Sequence, residues 1–76
     1  MNTENLLMDV VRMLREREDY FETEHKKAAS REDYRAAAMM LGKSLAYESA
    51  REMLMAALTG NVEILREYDY FGKEEE

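Results

Sequence analysis

Apolar positions in the first thirty residues recur at spacings of three and four. Leu7, Val11, Leu14, Phe21 and Ala28 fall on one line of a helix, and Leu6, Val10, Met13 and Tyr20 form a second line beside it. Together they make an apolar face wider than one partner helix covers. Glu18 and His25 interrupt the first line. Thr3 is placed to cap the start, with Glu4 near the positive end of the helix dipole. The pattern predicts a helix over about 3–28.

The pattern then restarts from Ser30 to Leu58, with a feature of its own. Ala38, Gly42, Ala46 and Ala50 recur every fourth position, so on a helix they form a ridge almost free of side chain. Leu41, Leu45, Met53 and Ala57 flank it on one side, and Met39 and Leu54 on the other. Gly42 costs about 1 kcal/mol in a helix interior and needs a reason. The row is therefore expected to floor a helix–helix contact or an oligomer interface, made by Ala38, Met39, Gly42, Leu45, Ala46, Ala50, Met53 and Leu54.

Ser30, with Asp33 three positions on, resembles a capping box and predicts a second helix over about 31–58. Lys26 and Lys27 suit the negative end of the first helix. One unbroken helix of roughly 55 residues is the competing reading, but the heptads are not sustained as a coiled coil requires. A turn centred on residue 30 gives antiparallel partners whose numbers sum to roughly 60. That register sets Phe21 beside Met39, Leu14 near Ala46 and Leu7 near Met53. It also brings Glu18 toward Gly42 and Lys43, and His25 toward Tyr34 and Arg35.

Leu58-Thr59-Gly60 reads as a glycine stop, and Asn61 caps a short third helix over about 62–70. Val62, Leu65 and Tyr68, with Ile64 and Phe71 beside them, give that helix one apolar face. Residues 1–72 thus read as a single helical domain, and 73–76 as an acidic tail expected to be disordered.

Composition narrows the picture. Proline is absent and glycine occurs three times in 76 residues, so the fold class is all-α. A chain this short buries only about 60% of its unfolded surface and needs a staple. Cysteine is absent and His25 is the single histidine, so neither disulfides nor a zinc cage within one chain can serve. Association remains. The expected architecture is an antiparallel helical hairpin with a short third helix, dimerising into a four-helix arrangement. Seven methionines and five tyrosines fit such an interface, because Met39, Met40, Met53 and Met55 lie on both sides of their helix and cannot all face the first.

The net charge of −6 is uneven: residues 59–76 hold six acids against two bases, while 30–58 balance at four each. No basic patch is offered to nucleic acid, so direct nucleic-acid binding is not expected. No apolar run approaches the ~18 residues of a membrane span. The opening Met1-Asn2-Thr3-Glu4 lacks a signal-peptide pattern, so the cytoplasm is the expected compartment.

Candidate chemistry is sparse. Glu22-x-x-His25 has the i,i+3 spacing of carboxylate-bridged metal sites in helical bundles, but one copy is too few, and no metal or other cofactor is expected. Ser44 and Ser49 have no histidine placed to activate them, and no glycine-rich loop could cradle phosphate. No enzymatic activity is expected. Glu16, Glu18, Asp19, Glu22 and Glu24 form an acidic cluster that reads as a solvated face or as a patch for a basic partner. Three function classes follow. The first is a non-catalytic protein–protein interaction module, a regulator or adaptor, acting as a homo-oligomer and binding another protein. The second is an acidic inhibitor or nucleic-acid mimic aimed at a basic host protein, as phage and mobile-element anti-defence proteins are. The third is a metal-carboxylate site through Glu22 and His25.

Overall fold

The link between the two long helices sets the fold. In the computed structural model, which describes residues 2–67, α1 (Thr3–Ser30) and α2 (Tyr34–Thr59) are joined by three residues. At the end of α1 the Glu32 amide donates to Ala29 O at 3.0 Å and the Asp33 amide to Ala28 O at 3.0 Å. This is the Schellman pattern, which needs a left-handed residue just past the helix. Glu32 takes that place with φ 59°. The chain reverses here without glycine or proline.

The caps lie elsewhere than the spacing suggested. Asn2, not Thr3, caps α1, its Oδ1 accepting the Glu4 amide at 2.8 Å. Asparagine caps at least as well as threonine, and capping from Asn2 leaves Thr3 as the first helical residue. Ser30 does not start α2. It is the last residue of α1, and its hydroxyl donates back to Lys26 O at 2.9 Å. The cap of α2 is Asp33, whose carboxylate accepts the Ala36 amide at 3.2 Å. The residue read as the far corner of a capping box is therefore the cap itself, and the helix begins three positions late.

The far end of α2 follows expectation. Gly60 is left-handed at φ 72°, and the Asn61 amide donates to Ala56 O at 2.8 Å. The Asn61 side chain then accepts the Ile64 amide at 3.3 Å, and residues 62–67 are helical. The expected continuation to residue 70, with Tyr68 and Phe71, and the 73–76 tail lie outside the described residues.

The helices pack antiparallel as one hairpin. His25 meets Ala37, and seven residues back along α1 Glu18 meets Ser44, seven further along α2. The α1 side of the contact is the expected line: Leu7, Val11, Leu14 and Phe21 are half-buried and Ala28 is buried. The α2 side differs. Ala37 and Ser44 are buried there, with Met40, Tyr47, Arg51, Leu54 and Leu58 half-buried. Phe21 accordingly stacks on Tyr47 (centroids 5.6 Å apart, planes 8° apart) and lies under Lys43 Nζ at 5.3 Å, rather than beside Met39.

The small-residue ridge is not the floor of this contact. Ala38, Gly42 and Ala46 are exposed and Ala50 is half-buried; a Cβ placed on Gly42 would meet no atom within 4 Å. The reason is polar. Glu18 sits on the α1 seam, where Arg51 pairs with its carboxylate and Ser44, seven residues earlier on the same side of α2, donates to its backbone carbonyl. Turning the ridge inward would swing both away and leave a buried carboxylate unpaired, the costlier arrangement.

The resulting interior is small. Among the described residues the buried apolar ones are Ala28, Ala37 and Ala56, and no large side chain is fully covered.

Candidate functional site

Two features stand out: a polar cluster inside the hairpin and an apolar surface outside it. The cluster is built on Glu18, which is 8% exposed. Arg51 Nε donates to its Oε2 at 2.7 Å, and Arg51 Nη2 to Oε1 at 3.4 Å, a two-point grip on the carboxylate. Arg15 adds a second cation at 3.9 Å. The Ser44 hydroxyl donates to the Glu18 backbone carbonyl at 3.2 Å. The hydrogen bond from Arg51 lowers the Glu18 pKa, against the opposing effect of burial, with the charges of Arg51 and Arg15 adding to the lowering. The same bond raises the Arg51 pKa. Both groups are charged at neutral pH and neutralise one another.

Glu18 therefore does not belong to an acidic surface patch. Of the other acids in that cluster, Asp19 lies 3.4 Å from Arg15, Glu22 lies 3.6 Å from Lys26, and Glu24 lies 3.5 Å from Lys27. Glu16 is exposed. Bases on the same helix thus partly cancel the negative field of residues 16–24.

The Glu22-x-x-His25 pair is divided between separate tasks. His25 Nδ1 donates to Ala37 O at 2.9 Å, tying α1 to the first turn of α2, while Glu22 faces Lys26. The bond uses the first-turn carbonyl of Ala37 rather than Tyr34 or Arg35. Among the described residues no three His, Cys, Asp or Glu side chains come together as a metal site would need. Ser44, considered above as a nucleophile, spends its hydroxyl on the Glu18 carbonyl.

Arg51 was not singled out by the sequence reading. Its signal was available: Ser44 and Arg51 are polar residues seven apart, on the same stripe of α2, opposite a glutamate that breaks the α1 seam.

The apolar surface has two parts. On α1, Leu6, Val10, Met13 and Tyr20 are exposed along one stripe. On α2, Met39, Leu41, Leu45 and Met53 are exposed, with Ala38, Gly42 and Ala46 among them. Of the eight residues expected at an interface, Leu54 instead turns toward α1 and Ala50 is half-buried. A shallow groove of about 330 Å³, lined by Met13, Glu16, Arg17, Tyr20 and Phe21, opens on the α1 stripe. No helix among the described residues is long and apolar enough to cross a membrane. Compared with protein-family models, curated protein sequences and solved structures, the chain matches none.

Proposed function

We propose that the chain is a non-catalytic protein–protein interaction module, a small regulator or adaptor of the cytoplasm, that works as a homo-oligomer. One observation carries the reading: Leu6, Val10, Met13, Tyr20, Met39, Leu45 and Met53 are left exposed, while the fully buried apolar residues among those described are all alanines. Burying one leucine or methionine stabilises a protein by about 1.5–3 kcal/mol, so several left in water are a strong drive toward association. Methionine and tyrosine on that surface suit a contact that adapts to its partner. Light scattering at micromolar concentration tests the proposal, with an oligomer expected; a stable monomer would sink the homo-oligomer. Affinity capture from the native cell followed by mass spectrometry tests the adaptor half, with another protein expected.

The acidic-inhibitor reading has one observation in its favour, the excess of four acids in residues 59–76. The internal pairing of Glu18, Asp19, Glu22 and Glu24 weakens it. Under that reading the partner captured is a basic nucleic-acid-binding protein, released by raising the salt.

A further inference from the structure

We infer that a second copy of this chain covers the outward side of α2, running antiparallel to the first with Ala46 near the twofold axis. The inference rests on the homo-oligomer reading and specifies its geometry.

The first support is the surface itself. Met39, Gly42, Ala46 and Met53 are spaced by three, four and seven, so they share one side of α2. Met39 and Met53 are 52% and 39% exposed, although Met40 and Leu54, on the opposite side, are half-buried against α1. Between residues 36 and 57 the charged side chains are Lys43, Glu48, Arg51 and Glu52, and none falls on that line.

The second support is layering: among the described residues, α1 and α2 pack against each other as a single layer. A helix layer buries its apolar side against another layer, and a second copy supplies it.

The third support is self-complementarity. Met39 and Met53 stand seven residues either side of Ala46, so an antiparallel pair sets each Met39 against the second copy's Met53. The small residues then meet at the centre, where the helices can approach. A parallel pair would instead set Arg35 against Arg35, like charges facing each other. The antiparallel pair separates them and carries Arg35 past Ala57 toward the end of the chain bearing Glu63.

The chain has no cysteine, so one introduced thiol reports one neighbour. A disulfide needs Cα atoms about 4.4–6.8 Å apart. Oxidised Ala46→Cys is expected to run as a covalent dimer on a non-reducing gel. Met39→Cys alone is not, while a mixture of Met39→Cys and Met53→Cys is expected to cross-link. Independently, Ala46→Glu is expected to halve the mass in light scattering with helix content unchanged by circular dichroism, and Met13→Glu to leave the mass as it is. Self-linking by Met39→Cys, Ala46→Cys and Met53→Cys alike means parallel pairing and overturns the inference. So does a dimer linked through Met13→Cys and intact in Ala46→Glu; in both cases the homo-oligomer reading survives. A monomer mass for the unmodified chain overturns both.

Discussion

Glu18 stands on a seam position that a leucine could fill, and its contribution depends on Arg51. Arg51 keeps 22% of its side chain exposed, so removing its partner does not strand a fully buried charge. Glu18→Gln keeps the shape and removes the charge, and it is expected to cost about 1–3 kcal/mol in urea denaturation. Replacing both residues by methionine is expected to recover part of that loss. The pair also sets a pH dependence. Glu18 has a lowered pKa in the folded chain, so it holds a proton less readily there than when unfolded. Its stabilisation is full above the unfolded carboxylate value of about 4.3 and is lost as pH falls through the lower folded value. The melting temperature is thus expected to drop below pH 4 through this group, and Glu18→Gln to flatten part of that drop.

At the scale of elements, the helices were legible and their ends and facing were not. Spacings of three and four identify α1 and its inner seam, because burial alone selects those positions. The turn escaped because Ser30 and Asp33 are both good caps, and choosing between them depends on the Schellman bonds formed by Ala28 and Ala29. That turn carries strain, since a left-handed non-glycine residue costs about 1–2 kcal/mol. Glu32→Gly relieves it at some cost in unfolded-state entropy and is expected to stabilise the hairpin by about 0.5–1 kcal/mol in chemical denaturation. The facing of α2 escaped for another reason: small residues every fourth position mark a surface suited to close contact without saying which helix comes close. Rotation was set by the pairing of the Glu18 carboxylate with Arg51, joined by the Ser44 hydroxyl on the Glu18 backbone carbonyl. With open space around Gly42, Gly42→Ala is expected to gain about 0.5–1 kcal/mol of helix propensity in the isolated protomer, measured at concentrations too low for association. A loss there would mean that another part of the chain already occupies that side.

At the scale of the whole molecule, the described residues form one layer of helices, and under the proposed pairing the stability of the chain depends on how much of it is present. Folding enthalpy scales with length at about 0.7 kcal/mol per residue near 60 °C, which gives roughly 100 kcal/mol for two copies of this chain. If folding and pairing occur together, mass action makes the melting temperature rise with concentration. With that enthalpy, each tenfold increase is expected to raise it by about 5 °C. A protomer that folds alone gives no shift, because its folded and unfolded forms are both single chains. Scanning calorimetry from ten to a thousand times the lowest detectable concentration separates the two, and a constant melting temperature throughout would mean that the alanine interior suffices by itself. Ala46→Glu sharpens the comparison. If the outward side of α2 is where the stability of the pair resides, the concentration dependence disappears in that variant, and its melting temperature falls to or below the dilute limit of the unmodified chain. If the dependence persists, the copies meet through another face, the most exposed remaining candidate being the α1 stripe of Leu6, Val10, Met13 and Tyr20.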